Sequence, residues 1–397
     1  MNIHAYTTEA VELLTRLIAT PSVSREEGAA ADILQEFIER RGLPCRRIGN
    51  NLLVHDKPDP QRPTLLLNAH IDTVKPVSSW TRDPFRPSLE GDRLYGLGSN
   101  DCGGGLVSLL QAYRIVSERQ RESLSGKTAQ HSEGEPGGSS RPGGEPSGSG
   151  GSGGRAGNGG EQGGSSGGYN LVFLASCEEE VSGSGGIALA LDELPRIDVA
   201  IVGEPTGLQP AIAEKGLMVI DGVARGKSGH AAREEGVNAL YEALDDLVWL
   251  RDYRFTKEST LLGPTKMTVT VVHAGTQHNV IPDECRFVID VRTNEHYTNE
   301  EVFDFLRRHM RKCELTARSF RLSSSHIDEG HPLVRRCRAM GMTPFGSPTL
   351  SDQALMPWPS FKLGPGESCR SHSADEFILV SEINRAIETY VTLLNEE

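Results

Sequence analysis

Two histidines and a set of carboxylates are the residues in this chain that could do chemistry together. They are His70 and Asp72 in "NAHID", Asp101 in "GSNDCGGG", the run Glu178, Glu179 and Glu180, Glu204 in "VGEPT", and His372 in "RSHSADEF". Three adjacent carboxylates are costly, since two like charges about 4 Å apart cost on the order of 4 kcal/mol at an effective dielectric near 20. Exposure on a loop relieves that cost, and so does a cation. Imidazole and carboxylate without thiolate form a hard-to-borderline donor set, suited to Zn2+, Co2+ or Mn2+. Three carboxylates and two imidazoles suffice for two metals with one bridging carboxylate between them. Such a pair, roughly 3.5–4 Å apart, can share a hydroxide and polarise a carbonyl, which is the chemistry of amide hydrolysis. Asp72, two residues beyond His70, is expected to accept the other imidazole N–H and fix the tautomer. The glycine-rich "GLGSNDCGGG" lacks the Lys-Ser/Thr of a Walker motif and the full dinucleotide spacing, which argues against a nucleotide loop.

Most of these residues close an apolar run. "PTLLLNAHID", "YNLVFLASC" and "IDVAIVGEP" are mostly continuous in apolar residues, as expected of strands covered on both faces. Helical spacing recurs at 8–18, 28–41, 105–118 and 185–194, and alternation of this kind predicts an α/β domain with a largely parallel sheet. Open α/β sheets place their sites at the ends of such strands. From about residue 213 the period changes to two in "GLMVIDGVARG", "TKMTVTVVHAG" and "CRFVIDVRT", with helices expected at 238–250 and 299–311 and a fourth strand at "TARSFRLSS". Strand–helix–strand–strand–helix–strand predicts a small α+β, ferredoxin-like unit with an antiparallel sheet. After about residue 328 the chain returns to helix and strand signals. The expected division is therefore 1–211 with 326–397 as one domain, and 212–325 as a second inserted into it.

Composition narrows the class. A chain of 397 residues exceeds one ordinary core, which agrees with two domains. Residues 118–168 are nearly all Gly, Ser, Pro, Glu and Arg, a composition that cannot bury enough apolar surface to order itself, so a disordered insertion is expected there. A net charge of −13 without a Lys/Arg run argues against nucleic acid or an anionic membrane as partner. Seven cysteines without a C-x-x-C pair suggest reduced thiols and a cytoplasmic location. The first residues lack the basic and apolar regions of a signal peptide, and no apolar run reaches the roughly 20 residues of a membrane span.

With these motifs in this order, the sequence resembles the M20 metallopeptidase/deacylase family over essentially its whole length outside the Gly/Ser-rich segment. The resemblance implies His70 and Glu204 on one metal, Glu180 and His372 on the other, and Asp101 bridging, with Asp72 behind His70 and Glu179 as general base. It places Glu178 outside the ligand set. The cofactor so implied is Zn2+, two per subunit, with Co2+ able to substitute. Two departures are present: Gly103 stands where the family has Lys, and Glu178 where it has Asp. In the 212–325 segment, "GKSGHAA" and "HNVIPDECRFVIDVR" match family motifs of a dimerisation or lid domain. They imply a homodimer in which His230 reaches a neighbouring subunit's site, with Asn279 and Arg292 in contact with substrate. The likeness is greatest to the acetylornithine deacetylase and succinyl-diaminopimelate desuccinylase branch. The implied activity is removal of the acyl group from an N-acyl amino acid, with N-acetyl-ornithine and arginine biosynthesis as the leading expectation. N-succinyl-ornithine, N-acetyl-citrulline and succinyl-diaminopimelate follow as alternatives, and then dipeptides or C-terminal peptide bonds. Selection of the acyl group is expected to rest on Arg292 and on loop contacts around Ser351, Asp352 and Gln353.

Overall fold

A computed structural model describes residues 3–130, 168–233 and 235–395. Two amphipathic helices open the chain, α1 (Ile3–Ile18) and α2 (Gly28–Glu39). The first buries Ala10, Leu13, Leu14 and Leu17, the spacing that puts one stripe of a helix against a core. A hairpin follows, β1 (Cys45–Ile48) and β2 (Asn51–His55), turned by Gly49 at φ +61°. Next come β3 (Thr64–His70), α3 (Gly104–Gln130), β4 (Asn170–Ser176), β5 (Val199–Val202) and β6 (Ala211–Glu214).

A separate four-stranded sheet is built from β7 (Met218–Arg225), β8 (Lys266–Ala274), β9 (Glu284–Arg292) and β10 (Cys313–Ala317). Two helices, α4 (Ala239–Asp252) and α5 (Asn299–His309), belong to the same stretch. Its order is β8-β9-β7-β10 and every pair is antiparallel. The chain then returns through β11 (Ser325–His326), β12 (Phe345–Ser347), β13 (Ser360–Lys362) and α6 (Val380–Leu394).

These returning strands complete a nine-stranded sheet in the order β1-β2-β4-β3-β5-β13-β6-β11, with β12 also on β6. Its middle strands β4, β3, β5 and β13 are parallel and its flanks antiparallel, except that β12 runs parallel to β6. Alternate residues serve opposite faces. Leu65, Leu67, Phe173, Ile201 and Phe361 join the core under α1, α2, α3 and α6, whereas Leu66, Val172, Leu174, Ala200 and Val202 pack with Ile187 and Met356 on the other side. The small sheet has its own cluster, around Ile220, Phe287, Ile289, Val302 and Leu306. The α/β class and the antiparallel small sheet are as expected.

Three expectations shift. The helix α3 runs to Gln130, past the start of the segment expected to be disordered. Distant partners hold that part of it. Glu118 accepts from the Tyr6 hydroxyl at 2.9 Å, Arg119 donates to Asn395 at 2.7 Å, and Arg121 forks onto Asp56. The remainder of the expected insertion, 131–167, lies outside the described residues. The helix expected at 185–194 is broken into a turn of α-helix, Ile187–Ala190, and a 3-10 turn, Leu191–Glu193, between the glycines before it and Pro195 after it. The fourth strand of the small sheet begins at Cys313, three residues before "TARSFRLSS", and ends at Ala317. Beyond it, the Phe320 and Leu322 carbonyls accept from the Asn299 side chain at the start of α5, and Leu322 also from the Leu217 N–H.

Glycines fix how closely the two sides of the sheet's upper end approach. A Cβ on Gly105, at the start of α3, would sit 1.7 Å from the Gly203 carbonyl oxygen. That contact draws the loop carrying Asp101 against the loop carrying Glu204. A Cβ at Gly103 would lie 2.4 Å from the Gly98 oxygen, so a backbone of this shape has no room there for the family's lysine.

Candidate metal centre

His70 ends β3 with its side chain almost fully buried. Its Nδ1–H donates to the backbone carbonyl of Asp72 at 2.8 Å, because only an acceptor is offered there. That bond turns Nε2 toward the carboxylates. It faces Asp101 Oδ1 at 3.2 Å, Glu204 Oε1 at 3.6 Å and Glu179 Oε2 at 4.0 Å. Burial disfavours a charged imidazole, yet Cys102, Asp101 and Glu179 outweigh it and hold the ring well above its usual range.

The expected partner of the imidazole N–H was the Asp72 carboxylate. It lies 3.6 Å from Nδ1, and the carbonyl of the same residue takes the bond instead. The carboxylate has other work. It accepts from Ser24 Oγ at 2.7 Å, from the Glu179 N–H at 3.1 Å and from the Glu180 N–H at 3.2 Å. Those two amides open a 3-10 turn, Glu179–Val181, entered through Glu178 at φ +53° and left through Ser182 at φ +44°. A straight strand would send adjacent side chains to opposite faces, and this turn brings Glu179 and Glu180 to one cavity. Glu178 points elsewhere, accepting from the Gly185 N–H at 3.3 Å with Arg25 at 3.7 Å.

Asp101 sits at the kink before α3. The N–H groups of Gly98, Asn100 and Asp101 donate to the buried Glu376 carboxylate at 3.1, 2.8 and 2.9 Å, which fixes the kink. Burial pushes Glu376 up to about 8 against those donors. The two oxygens of Asp101 face two imidazoles: Oδ1 the His70 Nε2, and Oδ2 the His372 Nε2 at 3.6 Å. His372, half-exposed at φ +56°, also meets Glu180 Oε2 at 2.9 Å, and that hydrogen bond raises the ring to about 9. Burial and the nearby Asp101 push Glu204 up to about 8, and its buried Oε1 has no hydrogen-bond partner among the described residues. Burial and Glu204 likewise push Glu179 well above the carboxylate range.

Residues 66–129 match the model of peptidase family M20/M25/M40, and residues 212–315 match that of the peptidase dimerisation domain. The chain belongs to the M20 peptidase family. It is a metal-dependent hydrolase of amide bonds. This M20 chain is 25% identical to succinyl-diaminopimelate desuccinylase 2 of Ruegeria sp. (strain TM1040), over 98% of this chain and 95% of that protein. It is 28% identical to acetylornithine deacetylase of Klebsiella pneumoniae (strain 342), over 71% and 67%. Its fold is similar to that of a dinuclear metal-binding M20 peptidase of Bacillus subtilis, with a TM-score of 0.66 at 16% identity, covering 98% of each chain.

The donor set of this M20 hydrolase fits divalent cations. Ligand atoms of His70, Asp101 and Glu180 lie within 4.8 Å of one another, as do those of His70, Cys102 and Glu204. Four carboxylates, Asp101, Glu179, Glu180 and Glu204, converge on a cavity of about 230 Å3, three of them facing His70 Nε2 and one, Glu204, with an orphaned oxygen. Repulsion of that kind is relieved by protons or by cations, and an imidazole nitrogen facing carboxylate oxygens gives a cation its place.

The structure does not bring every expected residue to this cavity. His230 is exposed on a two-residue strand against Val280, Asn279 accepts from the Ala231 N–H, and Arg292 forks onto Asp290 at 2.9 Å; none of the three lines it. Ser351, Asp352 and Gln353, expected as loop contacts, are buried instead. Ser351 donates to Glu214, Asp352 accepts from Ser176, and Gln353 donates to Ser360. The stretch just before them, Ser347, Pro348, Thr349 and Leu350, lines the cavity in their place. Sequence reasoning also passed over Cys102, Glu376 and Lys362. The signal for Lys362 was a cation inside "SFKLG", an otherwise strand-like run, and Glu376 stood unread in the His372 motif.

Proposed function

We propose that this M20 hydrolase deacylates N-acyl amino acids, with N-acetyl-ornithine as the leading substrate, in a cytoplasmic step of arginine biosynthesis. The observation that carries the reading is the pair of imidazoles facing the two oxygens of Asp101, at 3.2 and 3.6 Å. On this reading His70 and Glu204 would hold one Zn2+, Glu180 and His372 would hold the other, and Asp101 would serve both. When bound, such ions polarise an amide carbonyl and acidify a water at neutral pH. The chain's own groups do the rest. The Asp72 carbonyl holds the His70 ring by its Nδ1–H, and the Asp72 carboxylate holds the turn that aims Glu179. Glu179 Oε2 takes the proton of the attacking water as the oxygen adds to the acyl carbon. The same carboxyl then gives that proton to the nitrogen as the C–N bond breaks, releasing carboxylate and amine.

The reading extends to a homodimer through the 212–325 domain, with His230, Asn279 and Arg292 serving the partner's cavity. It is supported by the dimerisation-domain match and by unpartnered apolar surface. Tyr241, Leu244 and Val248 share one face of α4 and are exposed, as are Val271 and Val272 on β8, an edge strand of its sheet.

The test is turnover of N-acetyl and N-succinyl amino acids, with dipeptides alongside, and metal content measured on the same samples. Hydrolysis of an N-acyl amino acid, lost on chelation and restored by Zn2+ or Co2+, is the expected result. Turnover of dipeptides alone, or undiminished turnover in metal-stripped protein, refutes it.

A further inference from the structure

Lys362 closes β13 at the end of the sheet where the carboxylates gather, and its side chain is 2% exposed. Burying an ammonium is expensive unless every proton is used. Here every one is. Nζ donates to Glu214 Oε2 at 3.0 Å, to the Thr349 carbonyl at 3.0 Å and to Thr349 Oγ1 at 3.1 Å. Burial works against the charge, and Glu214 and Glu204 outweigh it, holding the amine protonated above its usual range.

The partners come from two places. Thr349 belongs to the cavity wall, and the hydrogen bonds of the 348–350 stretch run from Thr349 to Ser347 and to Lys362. Glu214 is the last residue of β6 and accepts Ser351 Oγ at 2.8 Å through the same oxygen that meets Lys362, so Thr349 and Ser351 are tied to one ion pair. On its other side Lys362 is followed by Leu363 and Gly364. Leu363 N donates to Val202 O, and the Gly364 carbonyl accepts from Thr206 and Leu208, in the loop that carries Glu204. One buried ammonium thus spans from the strand beside Glu204 to the far lip of the cavity. All its donors are spent, so it does not itself offer a bond to substrate.

We propose that Lys362 is a positioning residue that sets the 345–351 wall of the cavity and so selects which acyl groups fit. The selection arm rests on the deacylase reading above; the wall itself does not. Losing two charge-assisted bonds to Thr349 frees the 348–350 stretch between β12 and the Ser351 bond to Glu214, which is expected to change selectivity on the order of tenfold. An ion pair of this kind also has a purely structural use, and the test must separate the two.

Lys362→Met leaves Glu214 buried and unpaired. Lys362→Met combined with Glu214→Leu removes both charges and restores an apolar pair, which often keeps stability near that of the parent. The full, metal-loaded chain is compared in all three forms by amide hydrogen exchange over 345–351. Relative kcat/KM is measured for formyl, acetyl, propionyl and succinyl groups on one amino acid. Thermal stability and metal content are followed in parallel. The proposal expects the double variant to fold with unchanged metal content, to exchange about tenfold faster over the wall, and to reorder the acyl series by about tenfold. A folded double variant with parental exchange over 345–351 overturns it, and so does a parental acyl ratio. If the parent hydrolyses no N-acyl amino acid, the deacylase reading fails, and the exchange over 345–351 still decides whether Lys362 sets the wall.

Discussion

Replacing Asp72 by Ala separates two accounts of what this aspartate does. If it oriented His70, its loss would weaken the ion held by His70 and Glu204. The hydrogen bonds indicate otherwise, because the ring is held by the Asp72 main chain, which the substitution keeps. What disappears is the acceptor for the amides of Glu179 and Glu180, at 3.1 and 3.2 Å, and for Ser24. Each bond to a charged acceptor is worth about 1.5–3 kcal/mol. Two amides therefore account for about 3–6 kcal/mol, and water admitted to the loosened turn returns part of it. A net loss of about 3 kcal/mol is expected, spent mainly on the turn entered through Glu178 at φ +53°. In rate this is on the order of a hundredfold in kcat/KM, since Glu179 is no longer aimed. In metal content it falls on the Glu180 and His372 position, whose ligand leaves with the turn. Kinetics and metal analysis by mass spectrometry of Asp72→Ala, alone and combined with His372→Ala or His70→Ala, read both effects. Adding His372→Ala should cost no further ion, and adding His70→Ala should cost one. Asp72→Asn, which keeps one acceptor oxygen, should fall between Ala and the parent. The reasoning is refuted if Asp72→Ala keeps parental turnover, or if the ion it loses is the one at His70.

Glu179→Gln should retain both ions and lose turnover by about 10² to 10⁴, while Glu180→Gln should lose one ion and Glu178→Gln should be mild; a dead but fully metallated Glu178→Gln would mean that the register is shifted by one. His230→Ala mixed with Glu179→Gln should regain activity through hybrid dimers, and confirmed subunit exchange without recovery would place His230 outside the partner's site. In the metal-free protein, Glu204 (about 8, against an ordinary 4.5) and His372 (about 9, against 6.5) both bind protons more tightly folded than unfolded. Their contribution is fully present below their ordinary values and is lost as pH rises through the folded ones, so the melting temperature should fall from about pH 5 to pH 9. Metal-loaded protein, in which cations replace those protons, should be nearly flat over the same range, and parallel pH profiles for the two forms would count against a shared site.

Local pattern reached far in this chain, and its failures share a cause. His70 and Glu204 could be read because each closes or follows an apolar strand, and a parallel sheet gathers such ends on one side. The two-residue step from His70 to Asp72 predicted their proximity but not which oxygen would meet the ring, since a residue two positions on presents its carbonyl as readily as its side chain. Lys362 escaped because what makes it tolerable, Glu214 and Thr349, reaches it only through the sheet order β13-β6 and the wall beyond β12. The extension of α3 was hidden for the same reason. Polar, Ser-rich helix-formers after Glu118 look unstructured until Tyr6, Asp56 and Asn395 are seen beside them. Composition reports what a segment can bury by itself, not what distant parts of the chain bring to it.

The direction of α3 has a practical consequence. The helix starts beside Asp101 and, at about 1.5 Å per residue, carries the chain roughly 40 Å away over its 27 residues. The strand that resumes the described chain, β4, begins opposite Thr64 and runs toward Ser176, opposite His70. Both attachment points of the 131–167 segment therefore stand at the foot of the sheet, remote from the mouth of the cavity. That makes the segment a ready anchorage for laboratory use. A fluorophore, an affinity tag or a surface tether spliced in place of those residues would be rooted far from the entrance taken by substrate.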